Sequence, residues 1–362
     1  MAASAVPEVV LFTNARQNHL HTSFVHAGLD ILARGKRIKL LTSSGRSSDA
    51  GLLRDSLTIC LMVRCAGSTP VVVAIDLHDQ SREFAHDALQ RCDVYLKRSF
   101  DRAEVARLNP ALGAKVVPFG LNYPCSSLET TLRWMGPRAR KMFARRSDWL
   151  RHMRRQVVMP PVRRYEQTPD SKIEQKLIFQ PRLWEEHEAP GEAEPINRQR
   201  VELLRALRAA FGDRLVGGLV RTKLAVEQHP DELTNQPTRH SRYIAISKRN
   251  LIGIYTRGLW GSAAFKLSEY LAASQCIVAE PLTTELPVPL IPGKHYLPFN
   301  TPGECIDACH QLLRDPALAE RMRRANHEYY VEHVEPSARM ARVIQLAVSD
   351  AAPSSGPVEL PA

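Results

Sequence analysis

The sequence predicts an α/β protein built from two doubly wound domains. Its 362 residues suit about two domains of ordinary size. Short apolar runs of strand length alternate with helical patterns in both halves, and the Pro- and Arg-rich residues 121–172 interrupt this alternation. We therefore expect an N-terminal domain at 1–170, a C-terminal domain at 171–350 and a flexible tail at 351–362.

The N-terminal half contains six apolar runs of strand length. They lie at residues 9–13, 38–42, 57–63, 71–75, 94–96 and 116–117. Helices are expected from the N-cap Ser23 through Ala33, ending at Gly35, and at residues 81–92. Because strands that alternate with helices usually lie side by side in one direction, the pattern favours a parallel sheet.

The C-terminal half repeats the alternation. Strands are expected at residues 177–179, 215–220, 251–255, 276–279 and 296–299. Residues 198–211 have the apolar stripe of an amphipathic helix, with Asn197 as N-cap and Gly212 as C-cap. Further helices are expected at 263–273 and 303–313, and a last helix should begin at Asp315-Pro316, because proline suits the first helical position.

This arrangement has a consequence for ligand binding. Open parallel sheets bind ligands at the carboxyl ends of their strands. Two such Rossmann-like domains that face each other would enclose a cleft, with a donor on one wall and an acceptor on the other.

The net charge of +11 comes largely from one segment. Residues 131–165 contain ten Arg and one Lys against one Asp, interleaved with Trp, Phe, Met and Leu. Three interpretations remain open: a core-packed helix with a solvated basic face, attachment to an anionic membrane surface, and nucleic-acid binding. Nucleic acid is the least favoured, and not expected as a partner, because the segment lacks a Gly/aromatic sheet signature and zinc-finger spacing.

The apolar runs also bear on localisation. No uninterrupted run approaches the roughly 18 residues that a membrane-spanning helix needs. The seven cysteines are scattered, without a Cys-x-x-Cys pair. Both features favour a cytoplasmic protein. Peripheral attachment at the inner face of the membrane would follow from the membrane interpretation of residues 131–165.

One motif carries a family resemblance. Residues 258–272 read GLWGSAAFKLSEYLA and precede the expected strand at 276–279. This segment resembles the donor-binding loop and helix of GT-B fold glycosyltransferases, in which a Lys-x-x-Glu-Tyr-Leu/Met-Ala run precedes a strand. The stretches FQPRLW at 179–184, LLRDP at 312–316 and NHEYY at 326–330 fit the same template.

The type that the chain resembles most is the bacterial glycosyltransferase family 1-like group related to the spore-maturation protein CgeB. The resemblance covers about residues 176–345. It implies GT-B architecture and transfer of a sugar from a nucleotide-sugar donor to a hydroxyl of a glycan, lipid-linked or small-molecule acceptor.

The resemblance also points to a nucleotide-sugar-binding set. Its members are Arg182, Arg257, Gly258, Ser262, Lys266 and Glu269. Cations and a helix N-terminus can neutralise a departing diphosphate, and Glu269 could accept hydrogen bonds from ribose hydroxyls. The plainer alternative is a solvated i,i+3 ion pair between Lys266 and Glu269.

The chain departs from the family pattern at Gly261. Many retaining members have a first Glu eight residues before the position of Glu269, and here that position is Gly261. The retaining mechanism is therefore not implied, and the stereochemical outcome stays open. The sequence also lacks an Asp-x-Asp pair, so we expect no metal site and no cofactor beyond the nucleotide-sugar co-substrate.

A transferase acting without a covalent intermediate needs a base for the acceptor hydroxyl. Two N-terminal clusters follow strands: His19 and His21 after the first, Asp76 and Asp79 after a later one. A His–Asp pair would give an oriented base, and Asp79 and His19 are the first choices. The plainer alternatives are loop polarity for the histidines and a helix start for Asp79.

Two other functions remain as alternatives. One is a non-catalytic GT-B-like protein that serves in binding or surface structure, and the other is a nucleotide-sugar epimerase on the same scaffold. Nucleotide binding would separate the first from an enzyme.

Overall fold

A computed structural model describes residues 6–12, 17–43, 55–127, 150 and 159–350. Within these ranges the chain forms two β-sheets, one before and one after the Pro- and Arg-rich stretch. Most of the basic segment 131–165 lies outside the described residues, which include only Leu150 and residues 159–165 of it.

The first sheet contains all six strands predicted for the N-terminal half. They are β1 Glu8–Phe12, β2 Lys39–Ser43, β3 Thr58–Arg64, β4 Val71–Asp76, β5 Val94–Lys97 and β6 Val116–Pro118. Their order is β2-β1-β3-β4-β5-β6. The expectation of a wholly parallel sheet is wrong, because β3 runs antiparallel to both β1 and β4. Only residues 65–70 connect β3 to β4, too few for the crossover that a parallel pair requires.

The helices of this domain are α1 His19–Arg34, α2 His86–Arg91, α3 Arg102–Val105 and α4 Pro110–Gly113. The predicted start of α1 is wrong: its N-cap is Asn18, whose side chain accepts a hydrogen bond from the Leu20 amide at 3.1 Å, and Ser23 is buried inside the helix. The predicted end at Gly35 is confirmed. The early start places His19 and His21 in the first turn, at the carboxyl end of β1.

The second sheet is parallel throughout its described pairs. Its strands are β7 Glu174–Phe179, β8 Leu215–Gly217, β9 Asn250–Tyr255, β10 Cys276–Ala279 and β11 Leu297–Pro298, in the order β11-β10-β9-β7-β8. The helices are α5 Ala193–Phe211, α6 Lys223–Gln228, α7 His240–Ser247, α8 Phe265–Ala272, α9 Pro302–Arg314 and α10 Pro316–Tyr329. Gly212 ends α5 with φ +49°, as predicted. Asn197, however, lies inside α5 and does not cap it; its side chain bonds both to the amide and to the carbonyl of Trp184.

The end of the chain returns to the first domain. After α10 come a π-helical turn, Tyr330–Val334, and a final helix, α11 Pro336–Asp350. Helix α11 packs on α1 so closely that a Cβ on Gly28 would lie 2.3 Å from the Pro336 carbonyl oxygen. Arg339 donates to the Pro118 carbonyl at 3.1 Å. Residues 336–350, which we expected in the C-terminal domain, therefore pack on the N-terminal one.

The two domains meet at the carboxyl ends of the first sheet. Arg98 follows β5 and donates to the Ala263 carbonyl at 2.6 Å, just before α8 begins. Farther along the interface, Ser268 of α8 donates to the Asn122 carbonyl at 3.0 Å. The structure thus confirms two Rossmann-like domains that face each other, which is GT-B architecture. Among the described residues, no helix is both long enough and apolar enough to cross a bilayer.

Candidate active site

A cavity of about 280 Å³ opens in the second domain, where β7 and β9 end and α7 and α8 begin. It brings together three of the sequence-predicted residues, Arg182, Lys266 and Glu269. It also contains polar residues that the sequence analysis missed: Gln180, Arg200, Thr238, His240, Tyr243 and Thr256. A cavity at the carboxyl ends of parallel strands is where an open α/β sheet binds its ligand.

Glu269 is the buried acid of this cavity, only 6% exposed. Its Oε1 lies 3.3 Å from Nε2 of His240, whereas its Oε2 is buried without a hydrogen-bond partner among the described residues. Burial raises the pKa of Glu269, although His240 and Lys266 act in the opposite direction. A buried carboxylate oxygen without a partner is costly, so the free Oε2 is suited to accept from a ligand hydroxyl.

Lys266 supplies a positive charge beside Glu269. Its Nζ donates to the Gln180 carbonyl and lies 4.9 Å from the centre of the Tyr243 ring. Burial lowers the pKa of Lys266 to about 8, and the proximity of Glu269 limits the decrease. Both side chains line the cavity, so the structure does not show the solvated surface pair that was the plainer interpretation.

Arg200 holds the cavity walls together. It lies on α5, is 6% exposed, and donates to the Arg182 carbonyl at 2.7 Å and to the Arg257 carbonyl at 3.0 Å. It therefore connects the chain after β7 to the chain after β9. Burial lowers the pKa of Arg200 to about 10. The sequence signal that could have revealed it is an arginine beside Val201, on the edge of the apolar stripe of α5.

Arg182 reaches the cavity from the end of β7. Its guanidinium pairs with Glu188 at 2.5 Å and stacks 4.3 Å from the centre of the Trp184 ring. The side chain is 44% exposed, so it can move toward an anion more readily than Arg200 can.

The loop before α8 is tightly closed. The Gly258 amide donates to the Ser262 carbonyl at 2.8 Å, and a Cβ on Gly258 would lie 2.5 Å from the Ser262 hydroxyl oxygen. Trp260 and Gly261 both have positive φ, at +53° and +74°. Arg257, which precedes the loop, donates its amide to Glu280 at 2.7 Å. Arg257, Gly258 and Ser262 thus shape the entrance to α8 and are not among the residues that line the cavity.

Asp79 of the first domain lies at the start of α8. Arg98 donates to its carboxylate and, through its other nitrogen, to the Ala263 carbonyl. Burial raises the pKa of Asp79, but Arg98, His21 and a hydrogen bond from Ser262 outweigh it, so the pKa lies below its ordinary value. Asp79 is therefore an ion-pair partner and a poor proton acceptor near neutral pH.

His21 lies in the same group. Its ring packs edge-on against Phe265, a cavity residue, with centroids 5.2 Å apart. Burial, and to a lesser extent Arg98, lower its pKa to about 4, although Asp79 opposes the change. The imidazole is therefore neutral at pH 7, and its Nδ1 is buried without a hydrogen-bond partner among the described residues.

Asp76 has a different environment. It is fully buried and accepts from His78 Nδ1 at 2.7 Å, from the Tyr95 hydroxyl at 2.5 Å and from Lys97 Nζ at 3.0 Å. All three donors belong to the first domain, so Asp76 organises its core and does not reach the cleft. The structure thus gives no support to Asp76 as the base, and the histidine it pairs with is His78, not His19 or His21. His19 begins α1 and is 4% exposed.

Comparisons with known proteins agree with this geometry. Residues 198–345 match the family model described as glycosyl transferase-like. None of the curated proteins matches the chain. The matched segment contains Arg200, His240, Lys266 and Glu269, and thus most of the polar lining of the cavity.

Solved structures with similar folds are distant in sequence. A glycosyltransferase from Rickettsia africae has 11% identity over 90% of this chain and 88% of its own, with a TM-score of 0.41. A UDP-GlcNAc 2-epimerase from Neisseria meningitidis, bound to UDP-GlcNAc, has 12% identity over 74% of this chain and 64% of its own, with a TM-score of 0.38. A sucrose-phosphate synthase from Thermosynechococcus elongatus has 15% identity over 73% and 60%, with a TM-score of 0.39. The chain thus covers less than two thirds of the last two proteins. The family match confirms the resemblance drawn from the sequence, because residues 198–345 are similar to the glycosyl transferase-like family.

Proposed function

We propose that this protein transfers a sugar from a nucleoside-diphosphate sugar to an acceptor hydroxyl, with the nucleotide bound in the cavity of the second domain. The observation that carries the proposal is the buried Oε2 of Glu269, which has no hydrogen-bond partner among the described residues and lines the same cavity as Lys266. A carboxylate that accepts hydrogen bonds from hydroxyl groups, next to a cation, suits both the ribose and the phosphates of a single nucleotide ligand.

The donor side follows from these two residues. Glu269 accepts from the ribose hydroxyls, and Lys266 with the first turn of α8 faces the diphosphate, where positive charge stabilises the leaving group as the glycosidic bond breaks. Arg182 is exposed enough to join them. Because these groups are cationic already, the proposed reaction needs no metal ion.

On the acceptor side we assign the base to His21 in preference to Asp79. His21 is neutral at pH 7 and packs on Phe265 at the cavity, whereas Asp79 is held by Arg98. The acceptor hydroxyl proton passes to the imidazole and the acceptor oxygen bonds to the anomeric carbon. The bond from that carbon to the phosphate oxygen breaks, and Asp79 stabilises the resulting imidazolium.

The acceptor is proposed as a glycan, a lipid-linked molecule or a small molecule. A cytoplasmic enzyme held at the inner face of an anionic membrane would suit a lipid-linked acceptor. That attachment, ascribed to residues 131–165, stays a prediction, because most of the segment lies outside the described residues.

The test is a thermal-shift panel of UDP, GDP, ADP, TDP and CMP on the wild type and on Lys266→Ala and Glu269→Ala. A ligand at a hundred times its dissociation constant adds about 2.7 kcal/mol to the free energy of unfolding. We expect one nucleotide to stabilise the wild type and the exposed-residue control Glu202→Gln, but neither cavity variant. Failure of every nucleotide would overturn the proposal, and binding with conversion of the donor sugar alone would indicate an epimerase.

A further inference from the structure

A strongly basic groove lies on the side of α7 that faces away from the cavity of the second domain. We call that cavity, which contains Lys266 and Glu269, the donor cavity. It measures about 550 Å³ and contains five cationic side chains: Arg163, Arg164, Lys172, Lys248 and Arg249. Its remaining lining is Gln167, Ser241, Ile244 and Ala245. We call these nine residues the basic groove.

The two sites use two faces of one helix. His240 and Tyr243 of α7 line the donor cavity, whereas Ser241, Ile244 and Ala245 line the basic groove. Positions three and four apart lie on one face of a helix, so Lys248 continues the groove face at the end of α7. The groove is therefore separate from the nucleotide site although it is only one helix away.

Described carboxylates offset the positive charge of the basic groove only in part: Glu174 acts electrostatically on Arg249 without forming an ion pair with it. None of its five cations forms an ion pair with a described carboxylate, in contrast to the exposed Arg324, which pairs with Asp170 at 2.9 Å and Glu320 at 2.8 Å. Glu166 acts electrostatically on Lys248, but its carboxylate receives the Tyr330 hydroxyl at 3.1 Å. Clustered like charges repel one another, so an anion bound there would be stabilising.

Lys248 gives the groove a fixed shape. Its Nζ donates to the Arg164 carbonyl at 3.2 Å and to the Glu166 carbonyl, which ties the turn Val162–Arg164 to the end of α7. The backbone of the turn that carries Arg163 and Arg164 is thereby fixed beside the end of α7. These hydrogen bonds fix the backbone on both sides of the groove, whereas the side chains of Arg163, Arg164 and Arg249 are exposed and accessible to an anion.

The sequence that precedes the turn Val162–Arg164 indicates which anion the groove binds. Residues 131–158 carry eight Arg and one Lys against one Asp, so this stretch adds net positive charge to the chain. Trp134, Phe143 and Trp149 are interleaved with these arginines, and Leu150 is 44% exposed. Basic residues mixed with aromatic and aliphatic ones are typical of sequences that lie at a membrane surface.

We propose that the basic groove binds the phosphate headgroups of an anionic membrane surface. Each basic residue near such a surface contributes about 1 kcal/mol, roughly fivefold in binding. The groove would hold the donor cavity about one helix diameter, on the order of 10 Å, from the headgroups. A membrane-embedded acceptor would then meet the donor at the surface. Headgroup binding itself does not depend on the transferase activity.

The test is sedimentation of the full chain with vesicles of phosphatidylcholine alone or of phosphatidylcholine and phosphatidylglycerol in equal parts. The groove variant is Arg163→Gln/Arg164→Gln/Arg249→Gln. The matched control, Arg91→Gln/Arg214→Gln/Arg221→Gln, removes the same charge from exposed sites outside the groove. Both retain residues 131–158, so the difference between them reports on the groove.

We expect the wild type and the control to bind only the anionic vesicles, and the groove variant to bind them roughly 100-fold more weakly. Equal binding by the groove variant and the control would overturn the proposal, as would wild-type binding to neutral vesicles. The proposal would also be overturned if the wild type bound a short RNA duplex through the groove but did not bind vesicles. The ligand of the groove would then be a nucleic acid. An unchanged thermal unfolding curve and nucleotide response in the groove variant show that the fold and the donor site are intact.

Discussion

The Nε2 atom of His240 lies 3.3 Å from Oε1 of Glu269. The same nitrogen lies 2.9 Å from the hydroxyl of Tyr165, which in turn donates to the Pro124 carbonyl in the segment that connects the domains. One carboxylate oxygen is thus fixed by the protein while the other is left for a ligand. The consequences can be tested one residue at a time.

Glu269→Gln keeps the shape of the side chain and removes its charge. A hydrogen bond to a charged group contributes about 1.5–3 kcal/mol, so nucleotide affinity should fall roughly 10- to 150-fold. Calorimetry should compare a ribonucleotide with its 2′-deoxy form. The wild type should prefer the ribonucleotide, and the variant should lose that preference. An unchanged preference would show that Glu269 does not contact the ribose.

Lys266 predicts a pH dependence of nucleotide binding. Its pKa in the free protein is about 8, below the ordinary value of 10.5, so the ammonium that meets the phosphates is lost as the pH rises above 8. Affinity should therefore fall between pH 7 and pH 9. Lys266→Arg keeps its charge over this range and should show a flatter profile in the same titration, and Lys266→Met should bind weakly throughout. Parallel profiles for the wild type and the arginine variant would contradict the assignment.

The lowered pKa of Lys266 also affects the free energy of unfolding, and the direction of this effect is defined. Because the pKa of Lys266 is lower in the folded chain than in the unfolded chain, the unfolded chain binds more protons between about pH 8 and pH 10.5. The contribution of Lys266 to the free energy of unfolding should therefore rise with pH across this window. Urea titrations of the wild type and Lys266→Met at both ends of the window should differ in that direction.

His21→Gln should separate catalysis from donor binding. General-base catalysis contributes typically 10²- to 10⁴-fold, so the transfer rate should fall by that order, whereas the nucleotide thermal shift should persist. Asp79→Asn should slow the reaction less, since Asp79 acts through the imidazole and Arg98. Release of nucleoside diphosphate in the presence of acceptor is the measurement. A normal rate in His21→Gln would exclude it as the base.

Asp76→Asn should damage the fold and not only the reaction. Lys97 is fully buried, and its ammonium donates to Asp76 and to the Glu83 carbonyl. Breaking a buried ion pair by removing one partner typically costs 3–5 kcal/mol. Urea unfolding should show a loss of about that size, against a smaller one for Asp79→Asn, whose side chain is 33% exposed. If Asp76→Asn instead slowed sugar transfer and left the free energy of unfolding unchanged, Asp76 would belong to the active site in the cleft.

The sequence alone was sufficient to predict the positions of the strands and part of the candidate site. Apolar runs locate strands because the central strands of such sheets bury both faces. Lys266 and Glu269 could be paired because positions three apart share one helix face. The antiparallel direction of β3 was missed, because apolar runs do not reveal strand direction. Its cause, the short connection over residues 65–70, is nevertheless visible in the sequence.

The remainder of the site depends on contacts between distant parts of the chain. Arg200 and His240 come from α5 and α7, and only the tertiary fold brings them to Glu269. Asp76 and Asp79 are three residues apart, and the sequence favoured Asp79 without showing what either side chain contacts. The structure distinguishes them because Asp76 ends β4 in register with Lys97, whereas Asp79 lies beyond the strand and faces Arg98.

The close packing of α11 on α1 also has a consequence for how this protein is made. The contact at Gly28 is formed by Pro336 and Met340, so the first domain is completed by a helix that is synthesised only after the whole of the second sheet. Until then, the apolar face of α1 has no cover from α11. A nascent or truncated chain that ends before Pro336 should therefore depend on chaperones, and the first domain should reach its final stability only after α11 has been synthesised.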